Sequence, residues 1–425
     1  MKNLRFVFGA FCLILVCSVS SAGTVAPPSS EAEIRELMKL TWDQEILPEG
    51  ASAKTLERLL AKGQVVIMND DPPGGIPWVT AAGVMVDAPP DLVFAAATDF
   101  RRYPEFIPMT GRTSVRPVGG IENLYEVTFR VEVLFSLITV EYSVYHYHRP
   151  PRRTDWAHAS GEFDINSGFW EFIPADDGRR TMVFYSVYSL PRQARLQALY
   201  RDEPSLELMT NVATATMVVR AAKAQAEKRS PRVRPLVEAR TVEEILLEDP
   251  KTLALLSEKG KLMVLEDGPT VYITSVAVVE APVETAFQVI SDFEKYVEFL
   301  PGVRKSEIRR QGAKGPVVYQ EVSIKLWELK LESKIERELE LDPPHAINWT
   351  IERKTGGPVR GYWRFLPLEN NTKSLIFNGS TEDLRDMGAL TRTALRIEPT
   401  LEYGLMAAMT TATLDAFKTR INPSE

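Results

Sequence analysis

Two stretches decide the fold: Asp99-Phe-Arg-Arg-Tyr103-Pro104-Glu-Phe106-Ile-Pro108 and, 193 residues later, Asp292-Phe-Glu-Lys-Tyr296-Val-Glu-Phe299-Leu-Pro301. The same offset holds on both sides of them. Upstream it relates Ala88-Pro89 to Ala281-Pro282 and Phe94 to Phe287. Downstream it relates Pro150-Pro151 to Pro343-Pro344, Trp156 to Trp349, Gly168 to Gly361, Trp170 to Trp363, Phe172 to Phe365 and Phe184 to Phe377. In a chain with only seven Trp, two Trp-on-Trp matches at one offset are not coincidence. Solenoid repeats run about 20–50 residues, so this is a duplicated domain. Where the copies agree the fold demands it; where they differ, function is free to diverge.

Each copy opens on a short helix, Thr55-Leu56 to Lys62-Gly63 and Thr252-Leu253 to Lys259-Gly260, followed by a hairpin. A helix with Pro in its first turn comes next (Pro90 to Phe100, Pro282 to Phe293), then the aromatic segment, then several alternating strands. A long helix closes each copy, about Pro204 to Lys228 and Pro399 to Arg420. This order predicts an α+β protein of two tandem helix-grip domains, each a curved antiparallel sheet wrapped around its C-terminal helix. Strand parity turns Lys334, Glu336, Glu338 and Glu340 to water and Ile335, Leu339 and Leu341 inward. By the same reasoning Phe129, Val131, Trp156, Trp170, Phe172 and Phe184 face inward, with Ile324, Trp349, Trp363, Phe365 and Phe377 in the second copy.

The N-terminus reads as an export signal over 1–22: Lys2 and Arg5, an apolar core from Phe6 to Val19, then Ser20-Ser21-Ala22. The expected organisation continues with an extension carrying a helix from Glu31 to about Leu47 (23–53), a first domain (54–229), a linker (230–250) and a second domain (251–425). Both cysteines, Cys12 and Cys17, fall in the signal, so the exported chain has no thiol or disulfide. The formal charge of −7 becomes −9 without Lys2 and Arg5, which argues against nucleic acid as a partner. The expected location is outside the cytoplasm, the periplasm in a Gram-negative cell.

The Asp-Phe-x-x-Tyr-x-Glu-Phe-x-Pro segment, preceded by Ala-Pro and a helix, resembles the START/Bet v 1-like (SRPBCC) superfamily. It is most similar to the coenzyme Q-binding and polyketide cyclase-like members. The resemblance covers about Val65–Lys228 and Leu262–Arg420. It implies a deep apolar cavity under the C-terminal helix and ligands such as lipids, sterols, quinones or polyketides; some members are cyclases.

The long helices carry small residues at their centres, around Ala215 and Ala408, which either pack closely on the sheet or leave a void; a void is expected. Ligand-lining residues are then the inward set above together with Ala215 and Ala408. Tyr103, Phe106, Tyr296 and Phe299 stand at the cavity mouth, where the aromatic segment is expected to gate access. No nucleophile elbow, phosphate loop or zinc-protease helix is present, and neither a cofactor nor a metal is expected. Three of the four histidines, His146, His148 and His158, share the inward parity and flank Pro150-Pro151. A register pairing 146 with 158 would bring them together. Leu339, Leu341 and Ile351 replace them in the second copy. They are partly exposed edge residues, a polar anchor for a ligand, or a metal site. The function expected is carriage of a hydrophobic small molecule or lipid, with possible membrane contact. The alternative is a cyclase or dehydratase using His146, His158 and Tyr142.

Overall fold

The computed structural model describes residues 24–69, 80–133, 138–192, 204–230, 237–257, 260–268, 270–326, 329–352, 359–381 and 401–422, with isolated positions in 197–201 and 392–399. The N-terminal segment read as an export signal, with Cys12 and Cys17, lies outside these residues. Helix α1 (Glu31–Leu37) is capped by Ser30, whose hydroxyl accepts from Glu33 N. The helix ends at Leu37, short of the expected Leu47, and the chain turns so that Met38 and Trp42 both stay on the sheet.

The first half then runs α2 (Ala53–Lys62), β1 (Gly63–Asn69), β2 (Thr80–Val86), α3 (Pro90–Ala97), α4 (Tyr103–Phe106), β3 (Thr110–Pro117), β4 (Leu124–Val133), β5 (Ile138–Arg149), β6 (Arg153–Gly161), β7 (Phe163–Ala175), β8 (Arg180–Pro191) and α5 (Pro204–Glu227). The second runs α6 (Val242–Glu248), α7 (Pro250–Ser257), β9 (Gly260–Glu266), β10 (Tyr272–Val279), α8 (Val283–Ser291), α9 (Tyr296–Phe299), β11 (Val303–Gln311), β12 (Pro316–Leu326), β13 (Leu329–Asp342), β14 (Ala346–Ile351), β15 (Val359–Leu368), β16 (Lys373–Thr381) and α10 (Leu401–Ile421). The architecture is α+β, with two tandem helix-grip domains.

All described strands join one 16-stranded sheet, ordered β11-β12-β13-β14-β15-β16-β10-β9-β1-β2-β8-β7-β6-β5-β4-β3. Every neighbouring pair is antiparallel. Counted within its own half, each sheet has the same order, 1-2-8-7-6-5-4-3. The halves meet where β1 pairs with β9, from Gly63↔Glu266 to Asn69↔Gly260.

One close approach repeats in both halves. Gly168 lies opposite Trp156, and Gly361 opposite Trp349. A Cβ at either glycine would fall 2.2 Å (Gly168) or 2.0 Å (Gly361) from the indole. The ring therefore lies flat across the neighbouring strand, where no other residue leaves room.

On the inner face, α5 packs Val212, Ala215, Val219, Ala222 and Ala226 against one apolar core. Met406 and Ala407 of α10 join that same core, so the two grip helices touch. Their contact is close at Gly404, whose Cβ would sit 2.8 Å from Ala213 Cα. At this point the small residues of the long helices serve helix–helix packing. On the outer face, Leu56, Leu59 and Leu60 of α2 and Val242, Ile245 and Leu246 of α6 form a second core over the seam. The outer face of the first half is also covered at its far end: Ile34, Met38 and Trp42 pack on Tyr145, Tyr147, Ala157 and Ala159. The corresponding second-half positions, Glu338, Glu340, Thr350 and Glu352, are polar, and no extension among the described residues covers them.

Candidate functional site

The concave face of the first half gathers Phe129 from β4, Trp156 from β6, and Trp170 and Phe172 from β7 under α5. Val131 packs at the edge of the same core. In the second half Trp349, Trp363 and Phe365 do the same against Leu414 and Phe417 of α10. Ala215 and Ala408 are both buried. Ile324 is placed on β12 by its pairing with Leu331, and its side chain lies outside the described residues.

Phe184 and Phe377 do not belong to this face. Trp170 stands opposite Tyr185 and Phe172 opposite Val183, so Tyr185 and Val183 point inward. Phe184 points to the outer core, where its ring covers Gly83; Phe377 sits in that core too. The alternation on β8 is one residue out of phase with the sequence expectation, and a one-residue slip exchanges faces.

The signature segment divides into anchor and rim. Tyr103 donates its hydroxyl to Ala97 O, and Tyr296 donates to Ile290 O, tying α4 and α9 to the preceding helices. Both hydroxyls are buried, and desolvation pushes their pKa well up. These tyrosines are core anchors, not movable covers. Phe106 and Phe299 are only partly buried against the two cores. Phe106, Pro104, Pro108 and Met109 line an open depression of 380 Å³ that Glu132 closes on the β4 side.

The histidines come together differently from the expected register. His146 lies opposite Trp156, and His158 opposite Val144, a shift of two residues. The pair that meets is His146 and His148, with ring centroids 6.3 Å apart. His146 lies over Phe100 (4.3 Å) and beside Trp156 (5.4 Å); His148 lies against Tyr125 (4.8 Å) and Phe94 (5.6 Å). His158 stands apart, with Arg192 and Asp164 as its charged neighbours. His146 Nδ1, His148 Nε2 and both nitrogens of His158 are buried without a hydrogen-bond partner. Desolvation lowers all three imidazoles: His146 well below its ordinary value with help from His148, His148 to about 4, and His158 in the same direction. They are neutral at physiological pH, and among the described residues no His, Cys, Asp or Glu cluster has metal-binding form.

Tyr142 stacks on Phe129 at 5.4 Å, and burial raises its hydroxyl to about 12. Trp156 Nε1 donates to Asn166 Oδ1 at 3.3 Å. Tyr185 and Asn166 therefore join the inner face although sequence reading missed them; for Tyr185, the cross-strand partner of Trp170, that pairing was the available signal. Arg337 was missed on the same parity as Ile335 and Leu339. It lies opposite Val318, 5.1 Å from the Trp349 ring, and its Nη1 donates to Gln320 Oε1. Gln320 Nε2 in turn donates to Ser306 Oγ at 3.2 Å. The second-half interior is thus not an unbroken apolar lining.

A family model described as polyketide cyclase / dehydrase and lipid transport matches residues 86–207 and 279–423. The chain belongs to this family, twice over. No curated protein matches it. Among solved structures, a di-domain ARO/CYC from the BE-7585A biosynthetic pathway is 14% identical, over 82% of this chain and 99% of its own, at a TM-score of 0.28. A protein of Thermus thermophilus is 16% identical over 36% of this chain and 99% of its own, at 0.31. The STAR-related lipid transfer protein of Xanthomonas axonopodis is 15% identical over 38% of this chain and 92% of its own, at 0.25.

Within this two-copy member of the family, the halves share a frame and differ in lining. The first carries Tyr142, His146, His148, Asn166 and Tyr185 on the inner rows. The second carries Ile335, Leu339, Leu341, Val359 and Asn378 at the equivalent positions, with Leu341 exposed instead of turned inward as expected, and with Arg337 as its inward cation. Arg149 and Arg153, at the β5–β6 hairpin tip, are structural. Arg149 pairs with Asp155, and Arg153 bonds Asp155 at 2.9 Å and the carbonyls of Thr41 (2.6 Å) and Gln44 (2.7 Å).

Proposed function

We propose that the chain carries a hydrophobic small molecule or lipid beneath the C-terminal helix of each half, outside the cytoplasm. One observation carries this reading: in both halves an aromatic floor faces the grip helix on a frame whose family is described by lipid transport. Buried apolar surface contributes roughly 25 cal/mol per Å² to holding such a ligand. The segments behind Tyr103 and Tyr296, with Phe106 and Phe299 at the rim, would be where the ligand passes, and brief membrane contact fits there. Export rests on the Lys2-to-Ala22 sequence. The test is to purify the protein from its native compartment and analyse bound organic molecules by mass spectrometry. Co-purifying apolar molecules support the reading; an empty protein that also fails to bind a fluorescent fatty acid or quinone analogue overturns it.

A second reading, a cyclase or dehydratase, is favoured by one observation, the unpartnered nitrogens of His146 and His148 on the same inner face as Tyr142 in the first half. A neutral imidazole can take up a proton and a tyrosine hydroxyl can give one. Turnover of the co-purified molecule, lost on His146→Leu, would decide for it.

A further inference from the structure

The His146–His148 pair poses a physical problem that the carrier reading alone does not answer. A neutral imidazole has one N–H and one lone pair. His146 is 4% exposed, enclosed by Phe100, Phe129 and Trp156, and its Nδ1 has no partner. His148 Nε2, enclosed by Phe94, Phe100 and Tyr125, has none either. A buried polar atom left without a partner costs roughly 1–3 kcal/mol, and such atoms are kept where something else satisfies them. The fold does not need them. The same frame is built in the second half with Leu339, which is 3% exposed in its core, in place of His146, and with Leu341, which is exposed, in place of His148.

We propose that His146 and His148 together hold the hydroxyl of a neutral, ring-bearing alcohol or phenol in the first half. This rests on the carrier reading and names the ligand class for one of its two cavities. A hydroxyl both donates and accepts, so one group can give its proton to one imidazole and accept the N–H of the other. A carboxylate could only accept, and it would bury a negative charge beside rings that burial keeps neutral. The surrounding rings of Phe94, Phe100, Tyr125, Phe129 and Trp156 suit a flat apolar body attached to that hydroxyl. The way in is the element that encloses the nitrogens. Phe100 lies against both rings, so displacing its side chain, with Tyr103 still anchored, would uncover them. The second half, with leucines here, takes its ligand without this preference.

The experiment titrates the full chain with 2-naphthol and with its methyl ether, followed by naphthalene fluorescence. The pair differs by the one donor the histidines would accept. Wild type is expected to bind naphthol up to about ten-fold more tightly, the worth of one hydrogen bond. His146→Leu with His148→Leu should weaken both probes and abolish the difference between them, naphthol losing about ten-fold more than the ether. Equal binding of the two probes by wild type overturns this inference and leaves the carrier reading standing, as does a folded double variant that keeps the preference. Binding of neither probe overturns both. Should the double variant fail to fold, imidazole nitrogen chemical shifts in wild type decide: the lone-pair nitrogen signal of His146 or His148 moves with naphthol and not with the ether, and an equal response to the two probes overturns the proposal.

Discussion

Val66 and Met263 stand opposite one another in the β1–β9 ladder, and each is the other's counterpart in the repeat, 197 residues apart like Gly63 and Gly260. A pseudo-twofold axis therefore passes between them. Pairing like with like closes the edge that each half would otherwise leave open. An open β1 would expose a row of unpaired backbone groups flanked by Val65 and Val66, both fully buried here, and such an edge is a template for association. The seam has polar support at its end: Arg220 lies over the Tyr403 ring at 3.5 Å and bonds Asp267, which also accepts from Tyr403 Oη at 2.7 Å.

It follows that residues 54–229 expressed alone should pair through β1 with a second copy, because the geometry that joins unlike halves also joins like ones. Light scattering should report a dimer or larger species. Val66→Pro, which removes a ladder donor, should lower that association. A stable monomeric half would show that the seam is dispensable.

The duplication was legible because aromatic, Gly and Pro positions carry few alternatives: Trp156 over Gly168 admits no substitute, and both copies kept it. Parity was legible on β13, where four charges alternate, and failed on β8, where Phe184 and Tyr185 are both large and apolar enough to be inside. The seam left a sign that went unread. Val65–Met68 and Leu262–Leu265 are apolar at every position, which marks strands covered on both faces and flanked on both edges. Arg337 was passed over because a guanidinium reads as solvated, while here a Gln carbonyl and an indole face receive it. Pairing between distant strands has no local signal, so the two-residue register difference at His158 could not be read from the hairpin alone.

Phe184→Ala separates the two faces of the sheet. Removing a fully buried Phe costs about 3–5 kcal/mol, and the ring covers Gly83 on the outer side. Denaturant unfolding should show that loss, while ligand affinity at a temperature where the variant is folded stays near wild type. Trp170→Ala should lower both. An affinity loss on Phe184→Ala comparable to that of Trp170→Ala would return Phe184 to the lining.

Arg153→Ala should release the N-terminal extension. Its guanidinium holds the Thr41 and Gln44 carbonyls and neutralises Asp155, which is fully buried. Removing one partner of a buried pair costs about 3–5 kcal/mol, tempered here by Arg149, which also reaches Asp155. Limited proteolysis should cut within 24–47 in the variant well before it cuts wild type. Equal protection would mean that Ile34, Met38 and Trp42 hold the extension by apolar contact alone.

The buried imidazoles make stability depend on pH in a stated direction. An unfolded histidine titrates near 6.5, whereas in the folded chain His146 and His148 are lowered by burial, His148 to about 4. Between these values the unfolded chain binds more protons than the folded one, so stability falls as pH falls. The contribution is fully present above about 6.5 and is lost progressively toward 4, where His148 at last charges in the folded state. For His148 alone the span corresponds to the order of 3 kcal/mol, at about 1.4 kcal/mol per pH unit. His158 adds in the same direction, through burial and the nearby Arg192, partly offset by Asp164. Carboxylates titrate near 4 as well, so the informative window is pH 6.5 to 5. Chemical unfolding across that window should show wild type losing stability with each step, and the His146→Leu, His148→Leu variant losing markedly less. Ligand binding that requires neutral imidazoles should likewise persist below pH 6 and fail only as pH approaches 4. Parallel stability curves for the two proteins would mean that these rings already share their protons with solvent, and the enclosure drawn by Phe94, Phe100 and Trp156 would not hold.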